Sequence, residues 1–508
     1  MSLANIFSRA CIGLDSPLVN VEVHIANGLP AFNIVGLPET SVREAKDRIR
    51  SAILNCGFEF PAKRITINLA PADLPKEGGR FDLPMAVGIL VASEQLPKEK
   101  INCYEFTGEL GLSGELRAIK GEIPIALACK EANRTLVLPE QNAEQASWVS
   151  EVNIHPLMHL TQLLPHLLKQ NTLPLINQGP PSLEDVESFG PDMSDVVGQP
   201  LAKRALEIAA SGGHNLLFIG PPGTGKTMLA SRLPGILPQM TQEEALETAA
   251  IHSISQQEIN LQSWLTRPFR APHHTASAAA LIGGGSNPRP GEVSLAHNGV
   301  LFLDELPEYE RRVLDVLREP LESGEVTISR ALHKQCYPAR FQLVAAMNPS
   351  PTGFYNDNRS TPEQVLRYLN RLSSPFLDRI DLQIEVARLP RGMWAKNLEA
   401  SESSIMIRAR VRACRNLQLA RQGKPNAHLS SAEIREHCQL TSDDNEFLEL
   451  AIEKLGLSTR AHHKILKISR TLADMDEKPA ILHEHLIEAL SYRAMDRILR
   501  HLTEAVAV

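Results

Sequence analysis

The chain has 508 residues, of which 43% are hydrophobic and 22% are charged, and its formal net charge is -7. These values are typical of a multidomain globular protein and exclude a globally basic one, so any contact with nucleic acid must use a local surface. No apolar stretch approaches the roughly 18–20 residues that cross a bilayer, and the N-terminus lacks the features of a signal peptide, so we expect a cytoplasmic protein without membrane contacts.

Residues 1–165 combine strand patterns with helical stretches. Apolar and polar residues alternate at 19–25 and 64–69, which predicts strands with one buried face. Helical periodicity appears at 41–55 and 83–94. This mixture predicts an α+β domain at the start of the chain.

A different organisation follows the linker at 166–190, which is rich in proline, glycine and amide side chains. From 191 to 392, short apolar runs alternate with helical stretches, and this alternation predicts a parallel α/β sheet. The runs lie at 215–219, 300–303, 342–346 and 381–386. Residues 393–508 show helical periodicity without strand patterns, which predicts a helical lid. The predicted fold class is therefore α/β multidomain, with a parallel-sheet core between the other two parts.

A phosphate-binding pattern, G-x-x-x-x-G-K-[ST], lies between an apolar run and a helical stretch. It consists of Gly220, Pro221, Pro222, Gly223, Thr224, Gly225, Lys226 and Thr227. The glycines allow backbone N–H groups to converge on the β-phosphate at the start of a helix. Lys226 is expected to reach the β- and γ-phosphates, and Thr227 to give its hydroxyl to Mg²⁺. The sequence therefore predicts that the chain binds a nucleoside triphosphate.

Two acidic residues follow the apolar run at 300–303. Such a run predicts a strand that is buried on both faces, and ligands of parallel sheets bind at the carboxyl ends of the strands. Asp304 is expected to hold the Mg²⁺ ion and Glu305 to polarise the attacking water. The predicted reaction is hydrolysis of ATP.

These motifs resemble, in order and spacing, those of AAA+ ATPases of the magnesium-chelatase/MCM branch. Two later segments carry the resemblance further, Ala-Ala-Met-Asn-Pro at 345–349 and Leu-Asp-Arg-Ile-Asp-Leu at 377–382. It implies that Asn348 is the sensor-1 residue that orients the water, that Arg379 is an arginine finger for a neighbouring subunit, and that Arg460 is sensor 2 in the lid. A finger that works in trans implies a ring, and this branch typically forms hexamers.

Further segments resemble the ComM/YifB family, and the resemblance spans nearly the entire chain. They lie at 35–44, 269–277 and 283–292, with lid arginines at Arg408, Arg410, Arg412 and Arg415. The resemblance implies a Lon-protease-like N-terminal domain (1–165), an AAA+ core (191–392) and a magnesium-chelatase-type lid (393–508). It also implies a homohexameric helicase that uses ATP and Mg²⁺ to drive branch migration on single-stranded and branched DNA during natural transformation, with recombination proteins as further expected partners.

The chain departs from the resemblance at two places. Arg80 stands where Lon-type proteases carry their nucleophilic serine, and Ile123 falls at the position of the catalytic lysine. An arginine cannot attack a peptide carbonyl, so the N-terminal domain is expected to lack protease activity. Many relatives carry a cysteine cluster after sensor 1, but residues 350–358 contain none, so we expect no zinc there.

Two segments, 265–296 and 326–341, are predicted to line a channel and to contact DNA phosphates without reading sequence. The candidate contacts are Arg267, Arg270, Arg289, Arg330, His333 and Lys334. Solvated charged loops or ion pairs between subunits remain open as alternatives for each of them, as does simple solvation for the lid arginines. The histidine pairs at 273–274 and 462–463 are not expected to bind a metal, because neighbouring side chains point apart.

A second function remains open. A chelatase-like remodelling ATPase that acts on a protein partner, and not on DNA, would carry the same motor motifs.

Overall fold

The computed structural model describes residues 2–36, 39, 42, 44–181, 190–255, 264–285, 288–329, 334–354, 360–389 and 402–507. For residue 507, only the backbone is described. The chain forms two compact units. The first comprises Met1–Val186 and Gln242–Trp264, and the second comprises Glu187–Thr241 and Leu265–Val508. Within the described ranges, no helix is both long enough and apolar enough to span a membrane.

The first unit is built on a seven-stranded mixed sheet with the strand order β3-β4-β2-β1-β5-β8-β9. The strands of this sheet are β1 (Ser2–Arg9), β2 (Leu18–Ala26), β3 (Ala31–Val35), β4 (Arg64–Ala70), β5 (Tyr104–Phe106), β8 (Thr135–Pro139) and β9 (Ile154–Leu157). Two further strands, β6 (Glu109–Leu110) and β7 (Leu116–Arg117), form a separate antiparallel pair. The helices that precede residue 170 are α1 (Ala45–Asn55), α2 (Asp82–Ala92), α3 (Glu122–Glu131), α4 (Glu140–Ala146) and α5 (Leu163–Leu167). The strands β1, β2 and β4 are antiparallel neighbours, and the remaining pairs in this sheet are parallel.

Apolar side chains from one face of this sheet pack against α2. Along β2, every second residue is buried, as alternation in the sequence predicts. Every residue of α2 is buried, since its apolar surface extends around the whole helix. A Cβ atom on Gly88 would overlap the side chain of Val23, so glycine is needed where the helix touches the sheet.

The positions compared above with a protease dyad lie next to each other in the first unit. Nη2 of Arg80 donates to the carbonyl of Lys120 over 3.3 Å, and Ile123 is fully buried in α3. Beside them, burial raises the pKa of the Glu122 carboxyl to about 7, although hydrogen bonds from its own backbone and from Asn142 oppose the shift. A guanidinium and an apolar side chain thus occupy the two positions, and neither is a nucleophile.

The second unit contains a five-stranded parallel sheet with the strand order β11-β14-β17-β10-β18. The strands of this unit are β10 (Leu216–Ile219), β11 (Phe269–Arg270), β12 (Gly283–Gly284), β13 (Arg289–Pro290), β14 (Val300–Leu303), β15 (Glu325–Ser329), β16 (Lys334–Pro338), β17 (Gln342–Met347) and β18 (Leu382–Glu385). Strands β12 and β13 form one antiparallel hairpin, and β15 and β16 form another. The sheet agrees with the four strands predicted from the apolar runs.

The remaining helices complete the second unit, with one exception. They are α6 (Pro200–Gly212), α7 (Lys226–Ile236), α8 (Gln242–Ile254), α9 (Ala278–Ile282), α10 (Glu292–Leu295), α11 (Arg311–Val316), α12 (Arg318–Ser323), α13 (Pro362–Leu369), α14 (Ser374–Leu377), α15 (Ser404–Gln422), α16 (Ser431–His437), α17 (Ser442–Leu455), α18 (Thr459–Met475), α19 (His483–Ser491) and α20 (Ala494–Ala507). Short 3₁₀ turns lie at Gly79–Phe81, Lys98–Lys100, Leu160–Gln162, Met193–Asp195, Leu306–Glu308 and Asn426–His428. The exception is α8, which belongs to the first unit although the sequence assigns residues 191–392 to the core.

The helix α8 is joined to the first unit by backbone and aromatic contacts. The N–H of Gly121 donates to the carbonyl of Ser253 over 3.2 Å. The rings of Trp148 and Trp264 lie 4.6 Å apart, and both are buried. These contacts explain why residues Gln242–Trp264 belong to the first unit although they are distant from it in sequence.

The lid arginines fasten α15 to the parallel-sheet part of the second unit. Arg408 donates to the carbonyl of Gly235, and Arg415 donates to the carbonyl of Ala210. Nε of Arg410 lies 2.7 Å from a carboxylate oxygen of Glu207. Three of the four arginines therefore bind helices α6 and α7, and the fourth, at position 412, is exposed.

Candidate nucleotide site

The carboxyl ends of neighbouring parallel strands bring the predicted site residues together. The phosphate loop follows β10, the acidic pair follows β14 and Asn348 follows β17, and these strands are neighbours in the sheet. This edge of a parallel sheet is the general position of ligand sites. The helix α7 begins directly after the loop, so its positive end faces the same place.

The phosphate loop needs glycine for two separate reasons. Gly223 and Gly225 have φ angles of 77° and 86°, which residues with a side chain rarely adopt. A Cβ atom on Gly220 would overlap the carbonyl oxygen of Val386. The loop conformation therefore depends on glycine at these positions, as the pattern predicts.

Lys226 is held inside the loop and contacts Asn348. Its ammonium donates to the carbonyls of Gly220 at 2.6 Å and Pro221 at 3.0 Å, and to Oδ1 of Asn348 at 3.2 Å. The residue is 8% exposed. Burial lowers the pKa of Lys226 below its ordinary value, although the nearby carboxylates after β14 oppose the shift. The structure thus brings Lys226, the candidate phosphate-binding lysine, and Asn348, the candidate sensor-1 residue, into direct contact.

Thr227 and Asp304 supply oxygen atoms suited to a divalent cation. The hydroxyl of Thr227 donates to Oδ2 of Asp304 over 2.7 Å, and Oδ1 of Asp304 accepts from the N–H of Glu305 at 2.9 Å. Mg²⁺ prefers hard oxygen ligands and binds proteins through one or two such groups together with phosphates. The donor set therefore fits Mg²⁺, which Thr227 and Asp304 would hold beside the bound nucleotide.

Glu305 has a strained backbone and a histidine partner. Its φ angle of 52° lies in the left-handed region, which is uncommon for a residue with a side chain and occurs often at functional sites. Oε2 of Glu305 lies 3.2 Å from Nδ1 of His274, and both side chains remain partly exposed to solvent. The hydroxyl of Tyr309 donates to the carbonyl of Pro272 over 2.7 Å and so holds the chain that leads to His274.

His274 is a site residue that the sequence did not reveal. The sequence favours phosphate contact or core packing over metal binding for the paired histidines, whose rings lie 4.1 Å apart. Across the described residues, no group of three or more histidine, cysteine or acidic side chains is arranged to hold a metal ion. The short strand β11, which positions this pair, was also not predicted, because two residues are too few to show a pattern.

Arg379, the candidate finger, follows α14 and is bound within its own chain. Its guanidinium donates to Glu322 at the end of α12 and to the carbonyl of Pro375. The side chain is 11% exposed. The structure therefore engages the guanidinium of Arg379 with Glu322 and Pro375, and it shows Glu322 as a partner that sequence reasoning missed.

Arg460, the candidate sensor 2, lies at the start of α18. Its Nη1 atom is 3.6 Å from Oδ2 of Asp378, the residue before Arg379. One turn later on the same helix, Nζ of Lys464 lies 3.1 Å from Oδ1 of Asp381. The lid helix thus meets the segment that carries the finger.

The candidate DNA contacts fall into three groups. Arg267 donates to the carbonyls of residues 238 and 298, and Arg270 forms a two-pronged ion pair with Glu292, so both are engaged inside the unit. Arg289 and Lys334 are exposed, each in one of the two hairpins. The candidates at 330 and 333 lie outside the described residues.

The two hairpins are packed together. The hydroxyl of Tyr337, which is fully buried, donates to the carbonyl of Pro288 over 2.8 Å. A Cβ atom on Gly283 would overlap Ile328, so the first hairpin lies close against the second. The exposed cations of both hairpins therefore belong to one structural element.

Three family models match successive parts of the chain. Residues 192–393 match the family "Magnesium chelatase, subunit ChlI", residues 21–142 match "Subunit ChlI of Mg-chelatase", and residues 401–493 match "Magnesium chelatase, subunit ChlI C-terminal". The chain is 56% identical to competence protein ComM of Haemophilus influenzae, over 99% of this chain and 100% of that protein. It is 54% identical to protein YifB of Escherichia coli, over 99% of both chains.

More distant relatives are subunits of magnesium chelatase. The chain is 27% identical to the magnesium-chelatase 38 kDa subunit of Cereibacter sphaeroides, over 39% of this chain and 59% of that protein. The phosphate loop, the acidic pair and the parallel sheet lie within residues 192–393, which match the family "Magnesium chelatase, subunit ChlI". The chain belongs to the ComM/YifB family of magnesium-chelatase-like AAA+ proteins.

Proposed function

We propose that this protein is a ring-shaped ATPase that moves DNA and promotes branch migration during natural transformation. The observation that carries the ATPase part is the convergence of Lys226, Thr227, Asp304 and Asn348 at one edge of the parallel sheet. Full-length similarity to a competence protein supports the biological setting. The proposed cofactors are ATP and Mg²⁺.

Each site residue has a distinct part in the proposed reaction. Lys226 exchanges its contacts with loop carbonyls for contacts with the β- and γ-phosphates. Mg²⁺, when bound, would neutralise phosphate charge beside Thr227 and Asp304. Glu305 accepts a proton from the attacking water, and the amide of Asn348 orients that water. The pairing of Glu305 with His274 fixes the direction of the carboxylate before the water arrives.

The proposed ring accounts for the position of Arg379. The guanidinium of Arg379 donates to Glu322 and Pro375, neither of which belongs to the nucleotide site of its own chain. In a homohexamer it would leave Glu322 and stabilise the charge that develops on the phosphates of a neighbouring subunit. Arg289 and Lys334 would contact DNA phosphates from the paired hairpins, and such contacts track single-stranded or branched DNA without reading its sequence.

A second candidate is a remodelling ATPase that acts on a protein partner. The family match over residues 192–393 favours it, because chelatase subunits share the same motor. The two candidates differ in whether DNA binds the motor and alters its rate.

DNA-dependent ATPase activity separates the two candidates. Phosphate release is measured with purified protein alone, with single-stranded DNA and with a three-stranded branched DNA, and Lys226→Ala serves as the inactive control. Stimulation by several-fold with either DNA supports the proposed motor. ATP hydrolysis that no DNA changes, in the wild type but not in Lys226→Ala, would contradict it and favour the protein remodeller.

A further inference from the structure

The segment that carries Arg379 is held on both sides by the lid helix α18. Arg460 and Lys464 lie one turn apart on this helix and therefore on one face. Arg460 lies 3.6 Å from the carboxylate of Asp378, and Lys464 lies 3.1 Å from the carboxylate of Asp381. Arg379 thus lies between two acidic residues that pair with the same helix.

The Lys464–Asp381 pair is the firmer of the two contacts. Both side chains of this pair are 13% exposed, whereas the side chain of Arg460 is 62% exposed. Burial alone would raise the pKa of Asp381, but the ammonium of Lys464 and the ring of His214 outweigh it and hold the pKa far below its ordinary value. The Asp381 carboxylate is therefore charged, and loss of Lys464 would leave it poorly compensated.

Backbone contacts fix the same segment to the sheet and to the lid. The N–H of Asn215 donates to Asp381 over 3.1 Å, and its side-chain amide donates to the carbonyl of Arg379 over 3.0 Å. Two residues after Asp381, the N–H of Gln383 donates to the carbonyl of Tyr492, in the lid, over 2.8 Å. These three hydrogen bonds fix residues 379–383 to Asn215 and to the lid.

The nucleotide residues make side-chain contacts of their own, although paired strands β10 and β18 join the phosphate loop to the segment that contains Asp381. Lys226 is held by the phosphate loop and by Asn348, and Thr227 is held by Asp304. The ion pairs of Lys464 and Arg460 with Asp381 and Asp378 involve none of these nucleotide residues, so loss of either pair is expected to act first on Arg379.

We infer that Lys464, together with Arg460, is a positioning residue for Arg379, so that the lid helix of one subunit sets the place from which Arg379 reaches the nucleotide of the next. This inference rests on the proposed ATP hydrolysis by a ring. Under this inference, the lid of one subunit affects ATP hydrolysis in the nucleotide site of the neighbouring subunit. A defect at Lys464 should therefore appear across the subunit boundary.

The first test compares ATP binding with ATP turnover in Lys464→Met. Binding of a fluorescent ATP analogue should stay at the wild-type level, while turnover falls about 10- to 100-fold, because small errors in the placement of a reacting group have such effects. Lys464→Arg keeps the cation and should recover part of the turnover. Lys424→Met removes a lid lysine that pairs with Glu433 at the surface, and it should turn over ATP like the wild type.

The second test mixes Lys464→Met subunits with Lys226→Ala subunits, which lack nucleotide binding but keep an intact finger segment. Turnover should rise several-fold above that of either pure variant, since sites of the first variant then receive the finger of the second. Arg460→Ala, which removes the exposed contact without opening the core, should show a smaller loss and the same recovery. A mixture of Arg379→Ala with Lys226→Ala is the reference for a finger that works in trans.

The outcomes separate the inference from the proposed function. Recovery with Arg379→Ala but not with Lys464→Met or Arg460→Ala would overturn the positioning role and leave the ring ATPase intact. Loss of ATP binding in folded Lys464→Met would also overturn it, because the defect would then lie in its own site. Recovery in neither mixture would contradict the trans arrangement and the inference with it.

Discussion

Nδ1 of His274 lies 3.2 Å from Oε2 of Glu305, and the backbone of Glu305 is held in the left-handed region. The carboxylate that follows β14 is therefore directed by a histidine that follows β11, the neighbouring strand of the sheet. A side chain fixed in this way, at a strained position beside the phosphate loop, is suited to act as a general base.

Replacement of Glu305 with glutamine should separate ATP binding from ATP hydrolysis. The amide keeps the size of the carboxylate but cannot accept the proton of the attacking water, so turnover should fall about 10²- to 10⁴-fold. Binding of an ATP analogue and assembly, measured by fluorescence titration and light scattering, should be unchanged. Glu308→Gln, which alters an exposed partner of Arg371, is the matched control. Normal turnover in Glu305→Gln would show that Glu305 does not activate the water.

Arg379→Ala should lower turnover about 10³-fold or more while ATP affinity is retained, because an arginine finger stabilises charge that develops only in the transition state. Glu322→Gln provides a contrast, since it weakens the partner that holds Arg379 within its own chain. We expect that variant to keep its turnover. Steady-state phosphate release for both variants checks this, and a loss in Glu322→Gln as large as that in Arg379→Ala would contradict release of the arginine to a neighbour.

The exposed cations of the two hairpins should govern DNA binding and leave basal hydrolysis unchanged. The double variant Arg289→Ala with Lys334→Ala should bind single-stranded DNA more weakly, and the slope of log affinity against log salt should fall by roughly one unit per lost contact. Fluorescence anisotropy at several salt concentrations measures both effects. Lys424→Ala is the control for a lost surface charge in the lid. Equal DNA affinity and equal salt slope in the double variant would remove the hairpins from the proposed DNA path.

The first unit should lose stability as the pH rises, because of Glu122. Burial raises the pKa of this carboxyl from 4.5 to about 7, so the folded state binds its proton more tightly than the unfolded chain does. The stabilisation is complete below about pH 4.5 and is lost as the pH rises through about 7, with a total effect of up to about 3 kcal/mol.

Scanning calorimetry of Glu122→Gln tests this linkage. The neutral variant should match the wild type in acid and unfold at a higher temperature than the wild type at about pH 8, where wild-type Glu122 must be charged. Glu140→Gln changes an exposed carboxylate of α4 and should alter neither profile. A constant difference between Glu122→Gln and wild type at all pH values would indicate a packing effect instead of proton binding.

The fold of the second unit could be predicted where local sequence determines it. The strand β14 is buried on both faces and therefore reads as an unbroken apolar run, and the phosphate loop is specified by glycines at positions that need positive φ angles. The helical nature of the lid follows from its periodicity. These elements are determined by residues that are close together in the sequence, so the sequence of one chain is enough to predict them.

The contacts that tune the site could not be predicted in the same way. His274 and Glu305, or Lys464 and Asp381, meet only after the sheet and lid have formed, and nothing in the local pattern of either residue names its partner. The same holds for Arg270, which was a candidate DNA contact by charge alone and proves to be paired with Glu292. The sequence shows that a residue in such a segment is basic, but it does not show whether the side chain pairs with an acidic residue of the same chain or faces a ligand.

The most direct measurement is ATP-dependent conversion of a labelled three-stranded branched DNA, followed by gel electrophoresis, with Lys226→Ala as the control. We expect conversion by the wild type with ATP and Mg²⁺, and none by Lys226→Ala or by the wild type without ATP. If the wild type hydrolyses ATP but leaves the branched DNA unconverted, the proposed branch-migrating motor is contradicted.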